Sequence, residues 1–436
     1  YYSGGIDDLW LGMWGIIRAH STPQKDLPPL CGIRPITSVQ PPLEAVVRKF
    51  EIAAIQKNLI YNRFGDHDPE GLIFVPMEQA HDILRGKKEP IPLILRANAG
   101  DWIEVTLHNL FDKDTPIKHN EYPSVPLDLL HVPSNRVSLN PQFLKYDPIY
   151  SSGINVGYNA SEQTAAPGES IRYLWHADKE YGTVLLNSFG DLRNHRHHGL
   201  FGAIIIEPAG ARYYSSIRPM KENYKEQAVI TAPGMDAYRE FVLFAHNGIR
   251  LLDTDGTLIK TTEQGLADNE NGHGAPDHED TGEKGYNYRS ERFLNRLNRN
   301  QHIAKIFDSK THGDPATPLL RSYTGERVMI RLLMPADKPR NISFVLHGHR
   351  WKAQPEDPFT RTISTQGAVS VGNVFNIQPE TICDPGDYLY RSGSLRWDVE
   401  SGMWGILRIK KRGIRCRCES TCRNVKQWWD KKRGKL

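Results

Sequence analysis

The feature that most constrains the fold of this chain is an internal repeat of strand-like segments. The stretch LRANAGDWIEVTL, residues 95–107, matches LRSYTGERVMIRL, residues 320–332. Both place a Gly-acid turn before apolar residues that alternate with polar ones, a pattern that predicts a half-buried strand. Repetition at such long separation predicts two similar β domains in one chain.

Three further pairs of segments follow the same order in both copies. VSLNPQF (137–143) corresponds to FVLHGHR (344–350), PGESIRYLW (167–175) to PGDYLY (385–390), and GLFGAIIIEP (199–208) to GMWGILRI (402–409). The opening GMWGIIR, residues 12–18, is a third copy of the last segment. A lone closing strand would have an unpaired edge. We therefore expect a longer parent chain, a partner that supplies the missing strands, or a disordered first segment.

These repeats predict an all-β protein of two Greek-key β-sandwich or small-barrel domains. Alternating strands bury one face only if two sheets pack together, and 36 Gly and 29 Pro supply the turns. The predicted organisation is a closing strand of a preceding domain at 1–20, a Pro-rich linker at 21–43, domain A at 44–211, a linker at 212–226, domain B at 227–412, and a basic, Cys-containing tail at 413–436.

The charge is divided unevenly between the body and the tail. From Arg408 onward there are 12 Lys or Arg and 2 acidic residues, and before it 43 basic and 49 acidic residues. A mildly acidic body favours a cationic partner over nucleic acid. We see no apolar run long enough to span a bilayer and no signal peptide.

The basic tail has two open interpretations. It could bind an acidic partner, a polyanion, or a spore or cell surface, or it could be a disordered terminus. Cys416, Cys418 and Cys422 have a spacing that could hold a metal or a disulfide, but they lack the paired arms of a zinc site.

Together with RKFEIAAIQKNLIYNRFGDHDPEGLIFV (48–75) and HGDPATPLL (312–320), these segments resemble the multicopper oxidases, which are built from cupredoxin domains. The resemblance is closest to the six-domain group that includes ceruloplasmin and bacterial manganese-oxidising multicopper oxidases. It implies copper as cofactor, other cupredoxin domains as partners, and an extracellular, cell-surface or spore-surface location. It also implies a type 1 copper bound by two His, a Cys and a Met, and a three-copper cluster bound by His-x-His pairs that reduces dioxygen.

The chain departs from this pattern at the copper ligands. The His-x-His positions of domain A fall on Asn140 and Gln142, and on Asn187 and Phe189. In domain B the His-Cys-His positions fall on Ser392, Gly393 and Ser394, and other ligand positions on Ile342, Val345 and Asp398, while His347 and Met403 are retained. Near the start, Tyr2, Ser3 and Gly4 lie near the His-Cys-His positions of the opening segment. The sequence therefore predicts the fold without the type 1 and trinuclear copper sites.

Two histidine groups remain as candidate metal ligands. His347 and His349 are alternate residues of a predicted strand and can share one face. The alternative is a relic of the fold in which both rings are satisfied by hydrogen bonds. His195, His197 and His198 could chelate copper or zinc, although they do not fall on family ligand positions. Their alternative is an exposed polar loop.

An acidic loop could bind a hard divalent cation such as manganese. Its candidate ligands are Asp277, His278, Glu279, Asp280 and Glu283. The alternative is a solvated loop between strands, because runs of charge are usually just solvated.

The leading functional hypothesis is a ligand-poor cupredoxin pair of a multicopper-oxidase-like protein. The parent would oxidise a metal ion such as Mn(II) with dioxygen, and this segment would be scaffold and contact surface. The alternative is a non-enzymatic, cupredoxin-like structural or binding protein. Whether the chain is itself an enzyme stays open at this point, because the family implies a copper-dependent oxidoreductase while the copper ligands are missing here.

Overall fold

A computed structural model confirms the all-β class. It describes residues 1–3, 9, 12–20, 22–27, 30, 40–114, 117, 132–215, 225–259, 283–336, 341–355, 357–380 and 383–412. The predicted tail at 413–436, including its three cysteines, lies outside these residues. The predicted domain boundaries stay a prediction.

The strands of the first half are β1 (Val47–Gln56), β2 (Leu59–Ile60), β3 (His67–Asp68), β4 (Leu72–Pro76), β5 (Leu93–Asn98), β6 (Trp102–Asn109), β7 (Asn140–Pro141), β8 (Lys145–Tyr146), β9 (Ser170–His176), β10 (Gly182–Asn187), β11 (Phe201–Glu207) and β12 (Arg212–Tyr214). Those of the second half are β13 (Gln227–Thr231), β14 (Tyr238–Ile249), β15 (Glu283–Tyr286), β16 (Leu320–Tyr323), β17 (Arg327–Ala336), β18 (Ile342–Leu346), β19 (Trp351–Lys352), β20 (Thr362–Ile363), β21 (Thr365–Val369), β22 (Val374–Ile377), β23 (Gly386–Ser392) and β24 (Trp404–Lys410).

Short helices connect these strands. They are α1 (Met77–Leu84), α2 (Asn194–His197), α3 (Phe293–Leu297) and α4 (Ser309–His312), with a 3-10 turn at Ile303–Lys305 and a π-helical turn at Leu395–Val399. Within the described part of the chain, none of the helices has the length and apolar character needed to cross a membrane.

The first sandwich consists of two sheets with strand orders β4-β1-β6-β9-β8 and β5-β11-β10-β7. The chain passes from one sheet to the other five times between β4 and β10, including the turn from β5 to β6, as expected of a Greek-key sandwich. β1 pairs with β6 in parallel, and β5 pairs with β11 in parallel. The core between the sheets includes Leu95, Val105, Tyr173, Trp175 and Ile204, all fully buried.

The second sandwich repeats this arrangement. Its sheets have the orders β12-β13-β14-β17-β22, with β15 on β14, and β16-β24-β23-β18-β21. β14 and β17 pair in parallel, as do β16 and β24. The segments 95–107 and 320–332 therefore occupy equivalent positions, with a turn that joins one sheet to the other.

One repeat alignment predicted from sequence is wrong. PGESIRYLW contributes β9, which pairs with β6, whereas PGDYLY contributes β23, which pairs with β24. The strand equivalent to β9 is β22, because β22 pairs with β17 as β9 pairs with β6. Both segments place an aromatic strand after Pro-Gly-acid, and that local pattern does not indicate which sheet the strand joins.

The three copies of the closing segment share one backbone conformation. Gly12, Gly199 and Gly402 have φ values of +98°, +106° and +112°. In each copy the residue two positions later donates its backbone N–H to that glycine's carbonyl, at 2.8, 2.8 and 3.0 Å. Only glycine adopts such φ values without strain, which explains why the Gly recurs in the sequence repeat.

The opening segment reproduces the geometry at the end of the second sandwich. The backbone N–H of Ser3 donates to the carbonyl of Met13 at 3.0 Å, and that of Ser392 donates to Met403 at 3.1 Å. The two segments differ in burial, because Trp14 is 59% exposed and its counterpart Trp404 is 0% exposed. Assignment of the opening segment to a preceding domain stays a prediction.

An apolar cluster joins the two sandwiches. It includes Ala53, Phe201 and Ile205 of the first sandwich with Phe244 and Leu333 of the second. The rings of Phe201 and Phe244 stack with centroids 5.5 Å apart. Removal of this shared surface from water provides a hydrophobic driving force that holds the two halves together.

A buried ionic network lies beside this cluster. Arg331 contacts Glu207 and Glu240 at 2.9 Å each, and Arg96 pairs with Glu240. Tyr238 donates its hydroxyl hydrogen to Glu207. Each buried arginine therefore has a carboxylate partner in Glu240, and such pairing is the condition under which charges can be buried.

We predict that Gly402→Ala destabilises the protein more than Gly12→Ala. Both substitutions force a positive φ on alanine, which costs about 1–3 kcal/mol. At Gly402 a Cβ would also lie 2.1 Å from the Ser290 Oγ and 2.9 Å from the Glu291 nitrogen, whereas nothing lies within 4 Å at Gly12. Urea unfolding of both variants measures the difference, and equal losses would contradict the packing argument.

We also predict that Glu240→Ala lowers the free energy of unfolding by about 3–5 kcal/mol, because it leaves two buried arginines without their shared partner. The matched control is Glu380→Ala, which breaks the exposed Arg350–Glu380 pair and should change stability little. Chemical denaturation provides the measurement. Equal effects of the two substitutions would show that the buried network does not hold the interface.

Candidate functional site

The inner end of β23 brings together positions that the resemblance to multicopper oxidases assigns to a type 1 copper. The Ser392 hydroxyl donates to the Asp398 carboxylate, and the backbone N–H of Ser392 donates to Met403. The side chains of Met403 and Ile342 belong to the same buried core. Since side chains alternate along a strand, Ser392 faces inward while Arg391 and Gly393 do not. The position assigned to the thiolate from sequence, Gly393, has no side chain, and the assignment stays a prediction.

These residues do not fit a blue copper ion. Carboxylate and hydroxyl oxygens are hard donors, and a type 1 site depends on imidazole nitrogen and thiolate sulfur. Met403 alone supplies a soft atom, and it packs in the core. A Cβ at the neighbouring Gly393 would lie 2.0 Å from the Ser343 Oγ, so Ser343 would have to move before any larger residue could stand there.

The corresponding positions of the first sandwich do converge, but they carry amides. Asn140 of β7 lies directly opposite Asn187 of β10. Asn140 donates its side-chain N–H to the Ser152 carbonyl at 2.5 Å. The side-chain oxygens of Asn187 and Gln142 are buried without a hydrogen-bond partner. An amide does not replace imidazole as a copper ligand, so this pair does not fit a copper cluster.

His347 and His349 lie in an open cleft of about 700 Å³ on the second sandwich. Their neighbours in the cleft wall include Glu380, Cys383 and Asp384. The ring of His347 accepts a hydrogen bond from Arg391 at 2.9 Å, and the His349 Nδ1 lies 3.0 Å from the His347 carbonyl oxygen.

Sequence reasoning had not connected Cys383 with the two histidines, because 34 residues separate it from His349. Among the described residues, no group of three or more His, Cys, Asp or Glu side chains is arranged to hold a metal ion. The assignment of the histidines as metal ligands stays a prediction.

The histidines of the 195–198 segment are buried, so the alternative of an exposed loop is wrong. The His195 Nδ1 lies 2.9 Å from the Ser188 hydroxyl, and its Nε2 lies 2.8 Å from the Ser134 carbonyl oxygen. The His198 Nδ1 lies 2.9 Å from the Asp68 carboxylate. His197 is buried as well. These contacts favour a structural role, and the metal assignment stays a prediction.

Sequence reasoning missed a further buried histidine, His246. It lies in β14 after the apolar run FVLFA, which indicates an ordinary core strand, so no motif marks it. Burial, with a contribution from His198, lowers the pKa of His246 to about 3. The ring is therefore neutral at physiological pH and belongs to the interior polar cluster around His198.

Of the five predicted ligands of the cation loop, Glu283 lies among the described residues. Asp277, His278, Glu279 and Asp280 lie outside the described residues. Glu283 begins β15 and is 1% exposed. Burial raises its pKa to about 8, partly opposed by Arg292. The Arg292 Nε lies 3.8 Å from the Glu283 carboxylate, too far for a hydrogen bond, so desolvation prevails.

Comparisons with known proteins identify similar folds at low identity. No protein-family model and no curated protein matches the chain. A multicopper oxidase structure has 16% identity and a TM-score of 0.47, with 84% of this chain and 89% of that chain covered. Copper nitrite reductase from Nitrosomonas europaea has 15% identity and a TM-score of 0.45, with 84% and 94% covered. Similarity at this level assigns neither a family nor an activity to this chain.

We predict that ionisation of Glu283 makes stability fall as the pH rises from about 6.5 towards 8, because below 6.5 the buried neutral ring of His246 acts in the opposite direction. A carboxyl with a folded pKa near 8 and an ordinary value of 4.5 stabilises the fold fully below 4.5, and this contribution is lost as the pH rises through 8. Glu207, with a pKa raised to about 7 by burial, acts in the same direction.

Glu283→Gln keeps the side chain neutral and should flatten the decline. The matched control is Glu162→Gln, because hydrogen bonds from Asn155 and Thr164 already lower the pKa of Glu162 to about 2. Thermal unfolding from pH 5 to pH 9 measures the slope for wild type and both variants. An unchanged slope in Glu283→Gln would contradict the assignment.

Proposed function

We propose that this chain is a copper-free pair of cupredoxin-type domains that acts as scaffold and contact surface in a multicopper-oxidase-like protein. The redox copper centres of that protein would be held by other domains. The observation that carries the proposal is the convergence of Ser392, Asp398 and Met403 at one strand end. The fold assembles these positions, but their donor atoms do not suit copper.

The proposed parent reaction is the oxidation of a metal ion such as Mn(II) by dioxygen. Two features support it: the resemblance of the repeated segments to manganese-oxidising multicopper oxidases, and the acidic body of the chain, which favours cations over anions. In this proposal the chain supplies no electron-transfer ligand. It positions neighbouring domains, at an extracellular or cell- or spore-surface location.

The contact role is supported by the apolar face of the opening segment. Met13, Trp14 and Ile17 are exposed, whereas their counterparts Met403, Trp404 and Leu407 are fully buried in the second sandwich. Exposed apolar side chains in this number are typical of interaction sites. The partner we propose is another cupredoxin-type domain, which would cover these residues as the second sandwich covers their counterparts.

A second candidate is a non-enzymatic structural or binding protein of the same fold. The ionic network of Arg331, Glu207 and Glu240 favours it, because these protein side chains form ion pairs that join the two sandwiches. Mn(II) oxidation discriminates the two. The oxidase proposal requires a copper-loaded assembly that contains this chain and oxidises Mn(II), whereas the binding protein would be active in partner binding alone.

We predict that the purified full chain, supplied with Cu(II) and dialysed, contains no type 1 copper and shows no blue-copper absorption band. The reason is that no thiolate stands beside Met403 and Asp398. Elemental analysis and an absorption scan provide the measurement, and Ser392→Ala serves as a control that should leave both readings unchanged. A blue band that disappears in Ser392→Ala would contradict the proposed function.

A further inference from the structure

Arg391 is anchored so that its guanidinium faces His347. Its Nε donates to the Nε2 of His347 at 2.9 Å. Its Nη1 donates to the carbonyl oxygens of Ser392 at 2.7 Å and Gly393 at 3.3 Å. The backbone of the β23 end therefore holds the guanidinium in place while the Nε points at the imidazole.

This contact uses the part of His347 that a metal would need. A neutral imidazole has one nitrogen that accepts and one that donates. The hydrogen bond from Arg391 engages the accepting Nε2 and places the ring proton on Nδ1. Transition metals bind the same lone pair, and arginine does not lose its proton in proteins. A divalent ion at His347 would also be repelled by the guanidinium charge.

The cleft beside His347 also contains residue types that can bind a transition metal, although among the described residues no three of them are arranged to hold an ion. His349, Cys383 and Asp384 line it, and these residue types supply nitrogen, sulfur and oxygen donors. The His349 Nε2 is buried without a hydrogen-bond partner, and its ring packs edge-on against Tyr388 with centroids 4.5 Å apart. The cleft thus has potential ligands, but its first imidazole is already occupied by a cation.

We propose that Arg391 acts as a built-in cation that keeps the His347–His349 cleft free of divalent transition metals. The guanidinium takes the imidazole lone pair and supplies the positive charge that a bound ion would otherwise supply. Arg391 is therefore a specificity-determining residue of the cleft. This inference rests on the proposed copper-free role, but it concerns a cleft distinct from the interior Ser392–Asp398 position.

The test compares wild type with Arg391→Gln in the full chain, using Zn(II) and Cu(II) separately and a chromophoric competitor to measure affinity. Glutamine retains polarity and removes the charge. We expect at least a tenfold gain in affinity for Arg391→Gln, and loss of that gain in Arg391→Gln/His347→Ala. The matched control is Arg350→Gln, which removes a positive charge from the same cleft wall without touching His347.

Several outcomes would overturn the inference. They are an Arg391→Gln variant with wild-type affinity, an equal gain in Arg350→Gln, and a gain that survives His347→Ala. Wild-type binding that depends on His347 and is as tight as in Arg391→Gln would also overturn it. A blue absorption band in wild type, by contrast, would contradict the proposed function. The metal affinities of the Arg391 variants could still be compared in that case.

A second measurement applies if Arg391→Gln does not fold. Nitrogen-15 NMR of wild type reports which ring nitrogen of His347 carries the proton. We expect the Nδ1-protonated tautomer with Nε2 as acceptor, because the Arg391 Nε donates to Nε2. A ring protonated on Nε2, or chemical exchange between the two tautomers, would overturn the inference without any variant.

Discussion

The arrangement of the two sandwiches depends on the buried charges between them. Arg331 lies between Glu207 and Glu240, and Arg96 reaches Glu240 from the first sandwich. Buried ions tolerate few geometries, because each must keep its partner at hydrogen-bonding distance. Apolar contacts such as that between Phe201 and Phe244 stabilise the interface, but the hydrophobic effect is non-directional and does not specify one orientation of the sandwiches. We infer that the ionic network fixes the relative orientation and the apolar cluster supplies most of the free energy.

The same balance applies at the positions that the sequence analysis aligned with copper ligands. A site of imidazoles and a thiolate without metal would leave polar groups in the interior, which is costly unless they find partners. Here Ser392 bonds to Asp398, Asn140 bonds to a backbone carbonyl, and Met403 packs in the core. Protein groups therefore satisfy Ser392, Asp398 and the Asn140 amide nitrogen, whereas the amide oxygens of Asn187 and Gln142 are buried without a hydrogen-bond partner among the described residues.

Sequence reasoning predicted the fold class and the repeat because both depend on local patterns. The segments 95–107 and 320–332 each show the alternation of apolar and polar residues and the turn glycine directly in the sequence. It could not predict that His195 and His198 are buried, because their partners Ser134 and Asp68 lie 61 and 130 residues away. Nor could it assign PGDYLY to the correct sheet, since sheet membership is decided by pairing between distant strands. Features that depend on local sequence could therefore be predicted, whereas contacts between residues distant in sequence could not.

In each half, the first and last strands of one sheet pair in parallel, and this pairing has a consequence for biosynthesis. β5 starts at Leu93, but its parallel neighbour β11 starts at Phe201. During synthesis, β5 therefore has no parallel neighbour until roughly the next hundred residues have been made. Pairing between strands so distant in sequence is slow. The same delay recurs between β16 and β24. Each half thus presents an open, aggregation-prone strand edge during synthesis, a period in which chaperones would offer the greatest protection.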